Sequence, residues 1–286
     1  MFSLLDSQNP DGGWPHYPGK PSWTEPTAYA LLALQACSSR AAPVQRALAW
    51  LREAQLPDGG WTPQPGIAQS TWVTAVVALL GPAPLGGPVY GRAIRWLVDQ
   101  SGAESGLWNR LRLFLSGASP PEDPRLRGWP WYPGTHAWVA PTALSVLALG
   151  KALRRQPSAE IRARRDLGVA YLLGHACSDG GWNYGAARAL GHDAQSYPET
   201  TGLALLALHG TDAPAVRKGC AYARAHLKDC HSAEAESWIR LGLLAQGQLP
   251  SGAPPPTRPM RGIQHAALAL LASAAEHGRN LFLEEC

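Results

Sequence analysis

The stretch ALAWLREAQLPDGGW, residues 47–61, reads as an amphipathic helix that stops at a tight turn and hands the chain to a tryptophan. Arg52 and Glu53 can face water while Ala47, Leu48 and Leu51 face inward. Glycine takes the left-handed backbone that ends a helix. Asp58 can bond the backbone ahead of it and close the turn. The indole then packs its broad face between neighbours and offers its N–H to a polar group. The unit recurs as LLDSQNPDGGW (4–14) and AYLLGHACSDGGW (170–182), with a weaker copy in AIRWLVDQSGAESGLW (93–108). Trp14, Trp61 and Trp108 are spaced 47 and 47 residues apart, so a helical repeat is the first expectation.

A second helix follows each turn, and it is apolar nearly all round. Its copies are WTEPTAYALLAL (23–34), WVTAVVALL (72–80), WVAPTALSVLAL (138–149), YPETTGLALLAL (197–208), WIRLGLLAQG (238–247) and IQHAALALLASA (263–274). Pro26, Pro141 and Pro198 fall where a first helical turn tolerates them. GWPHYPGKPSWTEPTAYALLAL (13–34) returns 115 residues later as GWPWYPGTHAWVAPTALSVLAL (128–149), with 13 of 22 positions identical. Amphipathic helices alternating with greasy ones predict an outer and an inner set. The expected fold is all-α, about six hairpins that stack as an open solenoid or close into a ring. Residues 1–286 are expected to form one such domain, with a Pro/Arg-rich loop inserted at about 109–128. The sixth outer helix is not visible, and the loop 248–260 occupies its place.

Composition narrows the function. The chain of 286 residues is 45% hydrophobic and 16% charged, with 12 Trp against 3 Phe. A formal charge of +4 without a dense basic run gives no reason to expect nucleic acid. Five scattered cysteines without a CxxC pair suit a reduced, cytoplasmic setting. The first residues do not read as a signal peptide, and no run of about 18 apolar residues suggests a membrane span.

Helix, DGGW turn and buried Ala/Leu helix together resemble the prenyltransferase/squalene-oxidase repeat, over nearly the whole chain. That repeat builds squalene-hopene cyclases, class II terpene cyclases and protein prenyltransferase β subunits. The resemblance implies a closed (α/α) toroid of about six hairpins, with inner and outer helices around a central apolar cavity, and a long isoprenoid ligand in that cavity. In the cyclases an Asp-rich DxDD box before Thr-Ala supplies the proton. Here the matching stretch is Trp23-Thr24-Glu25-Pro26-Thr27-Ala28, so Glu25 stands for the donor and the flanking acids are absent. Glu199, in YPETTG, falls at a similar place in its own repeat. In the prenyltransferases Zn²⁺ is held by Asp, Cys and His. The first two become Ala194 and Ser196 here, His265 matches the third, and His192-Asp193 is a neighbouring substitute. Arg188 and Tyr197 lie where that family contacts the lipid diphosphate.

The candidate catalytic residues are therefore Glu25 and Glu199. The candidate substrate-binding residues are Arg188 and the aromatic set Trp23, Trp72, Trp138, Tyr197 and Trp238, read as heading successive inner helices. No metal or other cofactor is expected, with His192, Asp193 and His265 as the ligands to examine should Zn²⁺ or Mg²⁺ be needed. Arg110, Arg112, Arg125 and Arg127 flank the insertion as a candidate diphosphate clamp. Three functions stay open: a terpene-cyclase-like or prenyl-transforming enzyme, a non-catalytic lipid- or partner-binding toroid, and a Zn²⁺-dependent prenyltransferase β-like subunit. Peripheral contact with a membrane, a homodimer or a second subunit would suit them.

Overall fold

The computed structural model describes residues 4–36, 42–106, 126–185, 188–189, 192–249 and 259–284. The tryptophan turns organise it. In the second turn, Asp58 Oδ1 accepts from the Gly60 N–H at 3.1 Å and from the Ser70 hydroxyl at 2.6 Å. Gly59 sits at φ +95°, and a Cβ there would lie 2.7 Å from the Arg92 carbonyl oxygen of the next outer helix. No other residue suits both the backbone and the space. Trp61 is wholly buried, its backbone N–H donating to Thr74 Oγ1 at 2.9 Å and its indole N–H to the Leu51 carbonyl at 2.7 Å. One tryptophan thus ties the end of an outer helix to the start of an inner one.

The same pair of bonds recurs at Trp14 (Thr27, Leu4), Trp129 (Thr142, Leu97) and Trp182 (Thr201, Leu172). Trp129, not Trp108, therefore holds the third station; Trp108 lies outside the described residues, as does nearly all of the 109–128 loop. The 47-residue spacing to Trp108 misleads because the insertion separates the third outer helix from its own Gly-Trp. In that turn Glu104 replaces aspartate and accepts from the Ala137 N–H at 3.2 Å. Arg164 covers the Trp129 ring at 3.2 Å from its centroid.

The inner helices are α1 (Thr24–Ala36), α3 (Val73–Ala78), α6 (Val139–Arg155), α8 (Pro198–Ala207), α10 (Ala233–Ala245) and α11 (Ile263–Glu276). Each packs on the next, and α11 packs back on α1, so the ring closes. Outer helices α2 (Ala42–Glu53), α5 (Gly87–Asp99), α7 (Ala159–Gly174) and α9 (Pro214–His226) lie against it, with a short α4 (Pro82–Leu85) between α2 and α5. The difference in polarity follows the layers. Every residue of α3 is buried, whereas α2 buries only Val44, Ala47, Leu48 and Leu51. The place of a sixth outer helix falls largely within 250–258, outside the described residues, and Leu4 supplies the carbonyl that such a helix offers elsewhere. Two short antiparallel hairpins complete the elements: β1 (Trp129–Pro130) with β2 (Ala137–Trp138), and β3 (Arg188–Ala189) with β4 (His192–Asp193).

The two ends of the ring differ. At one end, the loop after each tryptophan caps a neighbouring inner helix. Thr24 N–H donates to the Pro63 carbonyl, Trp72 to Trp131, Val139 to Tyr184 and Ile263 to His16, at 2.8–3.1 Å. At the other end, buried Lys151 donates to the Leu79 and Leu281 carbonyls, both at 2.8 Å. Phe282, fully buried, packs on Trp238 with ring centroids 5.4 Å apart. The segment 280–283 thereby floors the ring. Helices α8 and α10 cross so closely that a Cβ on Gly202 would lie 2.2 Å from the Trp238 carbonyl carbon.

Thr74→Val should leave the Trp61 N–H buried without an acceptor and destabilise the fold by about 1–3 kcal/mol. Urea denaturation should show a lower midpoint with an unchanged slope. Gly202→Ala should cost more, since backbone rather than a side chain must yield.

Candidate functional site

The start of an inner helix can be numbered back from the threonine that binds the tryptophan N–H. Two residues before Thr27, Thr74, Thr142 and Thr201 stand Glu25, Trp72, Ala140 and Glu199. All four line one central cavity of about 230 Å³, joined by Glu234 and Gln264 from the second positions of α10 and α11. Tyr29, Trp131, Tyr184, Leu144, Leu203 and Trp238 supply the rest of its principal wall. A larger cleft of about 470 Å³ lies outside the ring between α5 and α7. The central cavity is the candidate site because helix starts and three carboxyl groups converge there.

Glu25 is the unusual group. Its carboxyl is pushed up to about 8, first by burial and then by the neighbouring Glu234 charge, while a hydrogen bond from Gln264 pulls the other way. What surface it keeps faces the cavity it lines. A helix start favours the carboxylate, but here desolvation wins, and Glu25 is mostly protonated at neutral pH. Gln264 also donates to Glu234 Oε1 at 3.3 Å. The Tyr184 hydroxyl donates to Glu199 Oε1 at 2.7 Å, and this bond, with burial, raises the phenol to about 12. Burial, with Glu25 and Glu234 adding to it, raises Tyr29 well above the ordinary phenol range. Aromatic rings line the same cavity: Trp72 meets Trp131 edge to face at 4.9 Å, and Tyr29 meets Trp238 at 6.1 Å.

Of the residues singled out in the sequence, Glu25, Glu199, Trp72 and Trp238 line this cavity, and Trp23, Trp138 and Tyr197 do not. Register explains the division. Trp23, Trp138 and Tyr197 stand four residues before their threonines, whereas Trp72 stands two before Thr74. Trp138 and Tyr197 have extended backbones and are 38% and 44% exposed; Trp72 is already helical and swings inward. Trp23 pairs with Trp14 through the backbone and meets His16 edge-on at 5.0 Å. Trp238 reaches the cavity from deeper down, because α10 begins five residues earlier than the aromatic suggested, at Ala233 behind the Ser232 cap.

Arg188 and Asp193 are cross-strand partners in the β3–β4 hairpin, whose His192 and Asp193 are exposed. His265 Nε2 lies 3.6 Å from Glu234 Oε2. No group of three or more His, Cys, Asp or Glu side chains able to hold a metal occurs among the described residues. Arg127 is exposed; Arg110, Arg112 and Arg125 lie outside the described residues. Sequence reasoning missed Trp131 and Tyr184, whose signal is their place two residues after Trp129 and Trp182. It also missed Tyr29, Glu234 and Gln264; the mark of Glu234 is its acidic first turn behind Ser232.

This architecture defines the class: an (α/α) toroid with a polar-aromatic cavity at the N-terminal ends of its inner helices. No family profile matches the chain, and no curated protein matches it in sequence. Solved structures do match. Type II terpene cyclase MstE from Scytonema, in complex with geranylgeranyl dihydroxybenzoate, is 19% identical over 98% of this chain and 77% of that one, with a TM-score of 0.53. ent-Copalyl diphosphate synthase from Streptomyces platensis is 19% identical over 91% of this chain and 49% of its own, at 0.51. The family 8 glycosyl hydrolase Cel10 from Klebsiella pneumoniae is 14% identical over 95% and 96%, at 0.59. The chain has the fold of the type II terpene cyclases, and at these identities the likeness extends to fold alone.

Because folding raises the Glu25 carboxyl above its ordinary 4.5, the folded state loses stability as pH rises from there to about 8. Glu25→Gln removes that loss. Its melting temperature should gain on the wild type between pH 5 and pH 9, and calorimetry at both values checks this.

Proposed function

We propose that the chain is a terpene-cyclase-like enzyme in which Glu25 starts the reaction by protonating an isoprenoid alkene. The observation that carries this reading is a carboxyl group kept protonated near neutrality among indole and phenol rings. The Glu25 proton adds to the less substituted alkene carbon, and the π electrons form the new C–H bond. The tertiary cation left behind faces Trp72, Trp131 and Trp238, whose π faces attract it. A second alkene of the same chain closes a ring onto that cation. Loss of a proton to Glu199, held by Tyr184, ends the sequence, and solvent returns the proton to Glu25. No step draws on a metal.

The lining described for this cavity holds no lysine or arginine, so a chain with an uncharged head suits it better than a diphosphate. We take residues 1–286 to act as one toroid carrying the 109–128 loop. A second reading, a glycan-processing toroid, draws on the three carboxyl groups Glu25, Glu199 and Glu234 in one cavity, the equipment of acid–base glycoside cleavage.

The test is turnover of squalene, geranylgeraniol, geranylgeranyl diphosphate and soluble glucans, with products read by mass spectrometry. Cyclised hydrocarbon or alcohol is expected from the first two. Glu25→Gln should slow it by about 10²–10⁴-fold. The rate should fall about tenfold per pH unit above the Glu25 value of about 8. Full activity in Glu25→Gln removes Glu25 as the acid. Chains that bind but never change favour a binding toroid, and glucan cleavage favours the second reading.

A further inference from the structure

The cleft of about 470 Å³ outside the ring shares no lining residue with the central cavity. It falls in the size range of small-molecule sites, about 300–1,000 Å³. One wall is a single face of α5, which contributes every third or fourth residue from Gly87 to Val98. The end of α6 and the start of α7 form the other. Tyr90, Ile94, Val98, Ala152 and Ile161 make the cleft apolar inside, and Arg95, Arg155 and Glu160 stand exposed around it. The walls are fixed. Arg164 of α7 donates to the Gln100 carbonyl beyond the end of α5, at 2.7 and 3.1 Å. The Ser158 hydroxyl caps α7 by accepting from the Ile161 N–H at 3.3 Å.

Two features of the α5 face serve nothing in the protein's own packing. The Tyr90 hydroxyl is buried without a hydrogen-bond partner among the described residues, an arrangement that costs about 1–3 kcal/mol. The charges that act on it are the Arg155 and Arg154 guanidiniums, which pull the phenol down while burial pushes it up to about 12. Gly91 lies inside α5 with no positive φ to require it. A Cβ there, as at Gly87 one turn earlier, would meet open space. Glycine inside a helix costs about 1 kcal/mol relative to alanine. Backbone bared over a full turn lets a flat group approach closely.

We propose that this cleft binds a planar aromatic carboxylate, its ring against Gly87 and Gly91 and its carboxylate accepting from the Tyr90 hydroxyl beside Arg155. The ligand supplies the acceptor that the phenol lacks, and a charged acceptor makes the stronger bond. Arg95 adds a cation at the rim. Glu160, the one carboxyl group of the described lining, is not among the charges that act on the phenol. A cationic ligand would meet Arg155 and Arg154 there, and an uncharged one would leave their field unanswered. The site does not depend on the isoprenoid reading.

The experiment is calorimetric titration of the full-length protein with 2-naphthoate, uncharged 2-naphthalenemethanol and decanoate. One 2-naphthoate per chain is expected, with a Kd below about 1 mM. The alcohol should bind at least about tenfold more weakly. Tyr90→Phe should weaken 2-naphthoate about tenfold, yet the free protein should melt no lower, since an unsatisfied hydroxyl is gone. Gly91→Leu should abolish binding and keep the fold, because leucine favours a helix and its side chain enters open space. No saturable binding, or binding unchanged in either variant, would overturn the inference. So would the alcohol binding as tightly as the acid, or decanoate binding more tightly than 2-naphthoate.

Discussion

Everything in this structure depends on a tryptophan that bonds in two directions at once. The indole N–H takes a carbonyl from the last turn of an outer helix, where the helix itself leaves such groups unsatisfied, or, for Trp14, the carbonyl of Leu4. The backbone N–H of the same residue takes a threonine hydroxyl in the first turn of an inner helix. Trp14, Trp61, Trp129 and Trp182 all do this, at 2.6–2.9 Å. Outer and inner layers are thereby locked in both height and rotation. Because rotation is fixed, the residue two places before the threonine must point to the axis. The cavity is a by-product of the rivet.

The layers were legible in the chain because DGGW turns and the contrast between amphipathic and greasy helices are local signals. The third rivet was harder to read. Trp108 keeps the 47-residue spacing, yet Trp129 does the work, as the match of 13–34 with 128–149 already implied. Glu25 and Glu199 could be found because each precedes its threonine at the same interval. The aromatic set mixed two registers: Trp23 directly follows Ser22 and stands four residues before Thr27, whereas Trp72 follows Ser70 by two and stands two before Thr74. α10 and α11 follow no Gly-Trp turn, so Gln264 lacked a marker and Glu234 had only its place in an acidic first turn behind Ser232.

The site sets two tendencies of a carboxyl group against each other. A helix start and the Gln264 hydrogen bond favour charge on Glu25; burial and Glu234 oppose it more strongly. The walls divide accordingly. Carboxyl and amide groups come from α1, α8, α10 and α11, which are neighbours around the ring. Trp72 and Ala140 come from α3 and α6 on the remaining arc. Rings come from both arcs, Trp72 from α3 and Tyr29 and Trp238 from α1 and α10, so the carboxyl groups are themselves flanked by π faces.

Closure of the ring has a consequence for how such a protein can vary. An open solenoid accepts or loses a repeat at either tip with little effect on its neighbours. Here α11 meets α1, so one hairpin more or fewer would alter every packing angle at once. Diversification is left with single stations and with the length of connections, and the long insertion between α5 and its tryptophan is that second kind. Swapping the axial residue of one hairpin rewrites the chemistry while the architecture stays the same.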